Sequence, residues 1–305
     1  MCGIVGYFGP SQNSVQIVLE GLKRLEYRGY DSAGVSFIDQ NNHMQFYKKA
    51  GKLDNLKAEL KGKDIVARTC IGHTRWATHG GVTDLNAHPH SNEKLSIIHN
   101  GIVENANEIK KELSAHGVKF KSETDSESFL ELVTFELKAG MGIKEAIAKS
   151  FKRIHGNSAF VILYPKTGEI FAIKRGAPLV CGINEVASEA LVSSDPYALA
   201  GIVHQLYFPE DEVLVHLSGE NKNLINFYEL DLTKTKRYLS KKQDMSLEVS
   251  EKGEFEHFML KEIYEQPGLI RNLTSYYFAG EGKESLERVA NYKPDRVYLS
   301  ACGTA

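Results

Sequence analysis

The sequence predicts an α+β fold in which two packed β-sheets carry helices on their outer faces. In the first third of the chain, short apolar runs closed by turn residues alternate with helical patterns. A block of helical patterns follows, and a second strand-rich stretch comes after it. With 305 residues and 42% hydrophobic content, the chain can bury a core of this kind without disulfides or metals.

The elements of the first third are read from apolar spacing. Residues 4–8 form an apolar run that ends at Gly9 and Pro10, which predicts a strand. Residues 15–25 repeat apolar side chains at helical intervals, and residues 53–60 do so with a mixed surface. Further strands are expected at residues 33–38, 44–47, 70–72 and 95–98.

Helical periodicity then dominates the middle of the chain. Helices are expected at residues 105–113, 126–137 and 143–154. Two apolar runs around Pro165 and Gly168 predict a hairpin of residues 159–164 and 170–173. Strands at residues 191–192, 213–217 and 227–230 complete the expected domain.

A change of composition near residues 235–255 predicts a linker, because Lys, Ser, Glu and Gln dominate there. The expected organisation is a first domain at 2–235, a linker at 236–254 and a second region at 255–305. The second region begins with a helical pattern at 255–273 and ends with a strand that enters a glycine turn. A βα unit would need a helix next, so we expect this region to be incomplete.

Bulk properties exclude several classes of function. The net charge of −2 offers no electrostatic footprint for nucleic acid. No run approaches the roughly 18 apolar residues of a membrane span, and the start lacks a signal peptide's basic region, so we expect a cytoplasmic protein. The four cysteines are scattered and should be reduced. Cys70, Cys181 and Cys302 are expected to be small buried hydrophobic residues.

Cys2 is the exception among them. If Met1 is removed, Cys2 carries both a thiol and a free α-amine, whose ordinary pKa values of about 8.5 and about 7.7–8.0 are close together. The residue could then serve as a nucleophile with its own general base. Taken alone, a cysteine near the start is more simply a strand residue.

Three polar positions would suit a substrate that carries both charges. Arg75 could bind a carboxylate through a bidentate fork, although its segment could equally be a polar loop with a buried Trp76. Asn100 and Gly101 form a common hairpin-turn pair, or alternatively an oxyanion hole made of a side-chain amide and a backbone N–H. Asp125 is by default an N-cap residue, and it could instead neutralise an ammonium group.

Five histidines lie within a short part of the chain: His73, His79, His88, His90 and His99. None forms the helical metal-binding pattern, and His88-Pro89-His90 is expected to point its two imidazoles to opposite sides of an extended segment. We therefore predict no metal and no cofactor, and a metal hydrolase remains the weaker alternative.

Six motifs together resemble the N-terminal nucleophile (class II) glutamine amidotransferases. They are Cys2-Gly-Ile-Val-Gly6, Glu26-Tyr-Arg-Gly-Tyr-Asp-Ser-Ala-Gly34, His73-Thr-Arg-Trp-Ala-Thr-His-Gly80, Asn86-Ala-His-Pro-His90, His99-Asn-Gly-Ile102 and Ser122-Glu-Thr-Asp125. Within this class, the sequence of residues 75–79 most resembles that of the glutamine–fructose-6-phosphate aminotransferases. Lys261-Glu-Ile-Tyr-Glu-Gln-Pro267 and Ala301-Cys-Gly-Thr304 resemble the opening of their sugar isomerase half.

The resemblance implies a four-layer αββα sandwich followed by a linker and an incomplete α/β sugar isomerase domain. It implies that Cys2 attacks the amide of L-glutamine and that Asn100 and Gly101 hold the oxyanion. The implied substrate-binding residues are Arg75, Thr78, His79, His88 and Asp125. Trp76 would gate the passage of ammonia, and Arg28 would hold the N-terminal segment.

The resemblance also limits what this chain is expected to do. The isomerase half of the family continues about as far again, and Ala305 stands where a Ser is expected. We therefore expect a glutaminase that does not itself aminate fructose-6-phosphate, which would be a partner of the complete, homo-oligomeric enzyme only. The alternatives are a phosphoribosyl amidotransferase-type glutaminase, disfavoured by residues 261–267, and a non-catalytic module that retains the fold.

Overall fold

The computed structural model describes residues 2–77, 79–219, 223–232, 238, 241–242, 254–256, 258–292 and 295–296. The chain divides into two compact units, Met1–Ser250 and Glu251–Ala305. The division falls within the predicted linker, and the finer boundaries at 2–235, 236–254 and 255–305 stay a prediction.

Strands and helices of the first unit follow the predicted order. The strands are β1 (Gly3–Phe8), β2 (Ser32–Asp39), β3 (Met44–Ala50), β4 (Ala67–Arg75), β5 (His90–Ser91), β6 (Ser96–Gly101), β7 (Ser158–Tyr164), β8 (Glu169–Arg175), β9 (Val180–Asn184), β10 (Glu189–Ser193), β11 (Gln205–Tyr207), β12 (Leu214–Leu217), β13 (Ile225–Tyr228) and β14 (Lys241–Lys242). The α-helices are α1 (Ser14–Arg24), α2 (Leu53–Leu60), α3 (Ala106–Ala115), α4 (Ser126–Lys138) and α5 (Ile143–Arg153), and short 3-10 helices cover Glu26–Arg28 and Pro196–Leu199.

The strands form two antiparallel sheets. The first sheet has the order β14-β11-β9-β10-β1-β4-β2-β3, and the second has the order β13-β12-β8-β7-β6-β5. Strand β1 therefore lies inside the first sheet, where Val5 is opposite Ser193 on one side and Gly72 on the other. Because β4 pairs with β1 from Gly3 to Phe8, the position of Cys2 directly before β1 is fixed by the sheet.

Three apolar layers separate four layers of secondary structure. One layer packs α1 and α2 against the outer face of the first sheet, with Val18, Leu22 and Leu56 fully buried. A middle layer lies between the two sheets and includes Ile4 and Val161. The third layer packs α3, α4 and α5 against the second sheet. This is the αββα sandwich that the resemblance implied.

The expected elements of the first unit are present, with four additional strands. Strands β5, β9, β11 and β14 were not predicted because each is short, and the apolar run of β9 is interrupted by Gly182, whose added Cβ would lie 2.6 Å from Val203. Strand β14 lies within residues 236–254, which were predicted to be a linker, and it pairs with β11. Strand β4 is longer than the predicted 70–72, since its polar residues are buried between neighbours and do not alternate with apolar ones. The hairpin-turn alternative for Asn100 and Gly101 is wrong, because both residues end strand β6.

The described part of the second unit contains two helices, α6 (Phe258–Ala279) and α7 (Lys283–Tyr292), with Pro267 inside α6. Helix α6 extends beyond the predicted 255–273. The predicted final strand and the Ala301–Thr304 motif lie outside the described residues, so the assignment of this region to a second domain remains a prediction. Among the described residues, no helix combines the length and apolar character needed to span a bilayer.

Candidate active site

The candidate site forms where three strand ends of the first sheet meet the end of β6 in the second. Gly3 is opposite Thr74 and Ser32 is opposite Arg75, so Cys2, Asp31 and Arg75 lie at the same end of the neighbouring strands β1, β2 and β4. From the second sheet, Asn100 Nδ2 donates to the carbonyl oxygen of Cys2 at 3.0 Å. The backbone register thus brings together residues that are far apart in sequence.

The Cys2 thiol is held by the backbone of Trp76. Trp76 N–H donates to Cys2 Sγ at 3.1 Å, and Sγ lies 3.5 Å from Trp76 O. Burial raises the pKa of the Cys2 thiol, the Trp76 N–H opposes that shift, and Asp31 reinforces it. The thiol is therefore neutral at rest, and a thiolate would require a base beside it.

Two residues of the Glu26–Gly34 segment fix the turn after β4. A Cβ on Gly29 would lie 2.9 Å from both the carbonyl carbon and oxygen of Arg75, so only glycine allows this approach. Asp31 accepts a hydrogen bond from Ala77 N–H, and its own N–H donates to Arg75 O at 3.1 Å. The motif at residues 26–34 was recognised from the sequence, but no role was predicted for Asp31, its one aspartate.

Arg75 is buried at the end of β4 and its guanidinium points into its own following loop. It donates to His79 O, to Gly80 O at 3.4 Å and to Gly81 O at 3.3 Å. Lys48 holds the far side of this loop by donating to Leu85 O and Ala87 O, both at 2.9 Å. The Arg75 guanidinium, which was predicted to bind a carboxylate, therefore donates its hydrogen bonds to loop carbonyls in this structure.

The end of β6 lies next to the start of helix α4. Asn100 and Gly101 are the last two residues of β6, and Asp125 directly precedes α4. Gly101 ends β6 with a φ of +122°. Asp125 stands at the N-cap position of α4 but caps nothing with its side chain. Instead its Oδ2 accepts from Val103 N–H at 2.6 Å, just beyond Gly101. Asp125 therefore occupies the predicted N-cap position, but its side chain does not cap the helix.

Four of the five clustered histidines, His73, His88, His90 and His99, form a buried group. The His73 and His88 rings lie 4.4 Å apart, and the His88 and His90 rings lie 4.6 Å apart. The expectation that His88 and His90 point to opposite sides is wrong, because the two rings are in edge-to-face contact and His88 lies in a bend before β5. Burial lowers the pKa of all of these rings, including His99.

Hydroxyl groups join these rings to each other. Ser126 Oγ lies 3.0 Å from His88 Nε2 and 2.8 Å from His99 Nδ1, and Thr124 Oγ1 lies 2.9 Å from His90 Nε2. Sequence reasoning did not single out Ser126, because a serine at a helix start is usually only a cap. Over the described ranges, no three His, Cys, Asp or Glu side chains converge as metal ligands would.

The remaining predicted residues differ in where they lie. Trp76 is 47% exposed, with its ring edge-on to Tyr30 at 5.6 Å, so the interpretation of a buried core aromatic is wrong. His79 is exposed beside the same loop. Thr78 and the side chain of Arg28 lie outside the described residues, although Arg28 ends the first 3-10 helix. Cys70 and Cys181 are buried free thiols, as predicted.

The pocket between these groups is lined by Cys2, Arg75, Trp76, His79, His88, His99, Gly101, Thr124, Asp125 and Ser126, and it encloses about 20 Å³. That space suits about one water molecule. As it stands, this space is therefore too small for an amino acid.

Comparisons with known proteins identify relatives of this chain. Residues 73–201 match a family model described as a glutamine amidotransferase domain. The chain is 41% identical over 312 residues to a glutamine–fructose-6-phosphate aminotransferase of Fusobacterium nucleatum, and 39% identical over 318 residues to one of Clostridium acetobutylicum. Each alignment covers 100% of this chain and 50% of the relative, so the chain spans about half the length of these curated relatives.

Solved structures support the fold. A glutamine phosphoribosylpyrophosphate amidotransferase of B. subtilis matches with a TM-score of 0.65 and 24% identity, over 75% of this chain and 49% of that one. A glutamine aminotransferase class-II domain protein of Silicibacter pomeroyi matches with a TM-score of 0.52 and 17% identity, over 75% of this chain and 99% of that one. The chain therefore carries a glutamine amidotransferase domain, with the N-terminal nucleophile sandwich as its fold.

Proposed function

We propose that this chain hydrolyses L-glutamine to glutamate and ammonia, with Cys2 as the nucleophile. The observation that carries the proposal is that hydrogen-bond donors and charged side chains from several elements surround Cys2. Its Sγ accepts from Trp76 N–H at 3.1 Å, and Asn100 Nδ2 lies 3.0 Å from its carbonyl oxygen. Arg75 and Asp125 line the same pocket and supply one charge of each sign, which complements an amino acid's α-carboxylate and α-ammonium.

The α-amine of Cys2 is the general base once Met1 has been removed. It takes the thiol proton, and the thiolate attacks the carbonyl carbon of the glutamine amide. The resulting ammonium returns this proton to the leaving nitrogen, so that ammonia departs and a glutamyl thioester remains. Water then attacks the thioester, gives a proton to the amine, and releases glutamate with the thiol restored. Since burial raises the thiol pKa, the thiolate needs this adjacent base.

The oxyanion formed in both attacks requires donors at the Cys2 end of β6. Asn100 Nδ2 and Gly101 N–H are the groups that we assign to this role, because they end the strand that reaches Cys2. Removing one such donor typically lowers the rate by about 10²–10³-fold.

Glutamine binding would displace the loop carbonyls that now occupy Arg75. The substrate carboxylate would replace His79 O, Gly80 O and Gly81 O as the acceptor of the guanidinium, and charged acceptors bind more strongly than neutral ones. The second oxygen of Asp125 would take the ammonium. Thr78, His79 and His88 would line the opened pocket, and Arg28 would support the N-terminal segment.

In the complete enzyme, the ammonia would go to fructose-6-phosphate, which the names of the relatives indicate as their substrate. Trp76 would then gate its passage, consistent with a half-exposed ring at the mouth of the pocket. Assembly of the complete enzyme as a homo-oligomer belongs to the same proposal.

A glutamine analogue with a diazo-ketone in place of the amide tests the nucleophile. After incubation, peptide mass spectrometry should locate the adduct on Cys2 in a chain that lacks Met1. The matched control is the same chain with a non-cleavable tag before Cys2, which blocks the α-amine and should abolish turnover without changing the unfolding transition. An adduct on Cys70 or Cys181, an inert Cys2, or turnover by the tagged chain would reject the proposal.

A further inference from the structure

The geometry points to His73 as a positioning residue that orients the Asn100 side chain for glutamine hydrolysis. This inference rests on the proposed function. His73 lies on β4 of the first sheet, opposite Ile4, and its ring reaches across to the end of β6 in the second sheet. It does not touch the place that a substrate would occupy, so it would act only through Asn100.

The proton position on His73 follows from its two partners. His73 Nε2 lies 3.0 Å from the carbonyl oxygen of His99 and 3.0 Å from Asn100 Oδ1. A backbone carbonyl can only accept a hydrogen bond, so Nε2 must carry the proton and donate. Burial lowers the pKa of His73 to about 3, so the ring keeps this neutral form near neutral pH.

The orientation of the Asn100 amide follows in turn. With Oδ1 facing the His73 N–H, Nδ2 faces the Cys2 carbonyl and donates to it at 3.0 Å. A flipped amide would set two donors against each other at His73 and two oxygens against each other at Cys2. Two contacts from the first sheet, one to His73 and one to Cys2, therefore select one rotamer, which keeps an N–H donor beside the nucleophile.

Losing the His73 donor would leave the buried Oδ1 without its partner and make the flipped amide accessible. In that rotamer an oxygen faces the developing oxyanion and repels it. The effect would appear in the chemical step, while Arg75 and Asp125 would still bind the ground-state substrate. We expect His73→Ala to lower kcat about 10- to 100-fold with little change in KM, the upper end being set by the loss of a whole oxyanion donor.

Rescue and a double-mutant cycle separate positioning from general damage. His73→Gln keeps an N–H donor near the Nε2 position and should restore most of kcat, whereas His73→Leu should not. In an Asn100→Ala background, His73→Ala should cause almost no further loss, because its effect passes through the missing amide. His216, a buried histidine on β12 that packs on Phe171, supplies the control His216→Gln, which should leave kcat unchanged.

An aldehyde analogue of glutamine gives a readout without turnover. The thiol adds to its carbonyl, forming the C–S bond and passing its proton to the oxygen, so that the adduct resembles the tetrahedral intermediate. His73→Ala should weaken binding of this aldehyde about 10- to 100-fold and leave glutamate binding unchanged.

Each result is decisive for one of the two claims. If the wild-type chain neither turns over glutamine nor binds the aldehyde, the proposed function fails. If the wild-type chain is active but His73→Ala retains kcat, or lowers it equally with and without Asn100, then His73 does not position the amide and only this inference is overturned.

Discussion

Gly101→Ala should damage both stability and turnover, because the end of β6 has no space for a side chain. The residue has a φ of +122°, which an alanine adopts only with strain of about 1–3 kcal/mol. An added Cβ would also overlap Asn157 O and lie 2.9 Å from Ser158 Cα. Asn157 O already accepts from Ile102 N–H at 3.0 Å, so it cannot retreat without losing that bond.

The overlap adds to the strain. Overpacking of this kind costs about 1–3 kcal/mol, so the total loss of unfolding free energy is expected at about 2–6 kcal/mol. Gly117→Ala is the matched control, since Gly117 has a φ of +83° with nothing within 4 Å of an added Cβ. It should show the strain alone, about 1–2 kcal/mol.

Urea unfolding of the two variants measures the difference, and glutamine turnover measures the site. Gly101→Ala should also lower kcat by about 10²-fold or more, because any relief of the overlap moves the Gly101 N–H that would hold the oxyanion. If the two variants lose the same stability and Gly101→Ala keeps its kcat, then the backbone of β6 yields easily. The rigid placement of the oxyanion donors would then be wrong.

Two further predictions concern charge. Arg75→Lys should raise KM for glutamine about 10- to 100-fold, since a lysine cannot form the bidentate fork; an unchanged KM in steady-state kinetics would remove Arg75 from carboxylate binding. The free energy of unfolding should fall as pH drops from about 6.5 toward 4. Burial lowers the pKa of His73 to about 3 and of His99 to about 4, so over this pH range the unfolded chain binds protons that the folded chain does not bind. His73→Gln should reduce this slope by about 1.4 kcal/mol per pH unit in urea titrations at pH 4.5–5.5, and parallel slopes would contradict the buried neutral ring.

Apolar periodicity predicted most of the fold because most elements bury a continuous apolar face. Helix α5 and strand β7, for example, were expected within one or two residues of their observed bounds. Strand β4 was underestimated because its last three residues, His73, Thr74 and Arg75, are buried and polar. Such residues carry no apolar pattern, and their burial depends on partners from other strands that local sequence does not reveal.

The sequence predicted which residues belong to the candidate site, but it did not predict which atoms they contact. Motifs supplied Cys2, Arg75, Asn100 and Asp125, whereas the capture of Arg75 by its own loop carbonyls depends on the path of the chain after β4. Likewise, the contact between the His88 and His90 rings depends on a bend at His88 that the sequence did not predict. Side-chain alternation is a reliable guide only inside a regular strand.

The position of the site between the sheets explains why its residues come from such distant parts of the chain. Cys2 and Arg75 belong to the first sheet, whereas Asn100 ends a strand of the second and Asp125 begins the helix packed on it. A bound glutamine would therefore span both sheets, with its carboxylate on one and its ammonium on the other. The distance from thiol to oxyanion donor is then set by how the sheets pack, and His73 is a side chain that ties them together at that point. Because the middle apolar layer also fixes this packing, the relative positions of the proposed nucleophile and the proposed oxyanion donors depend on the core as a whole, and not on the loops that carry the motifs.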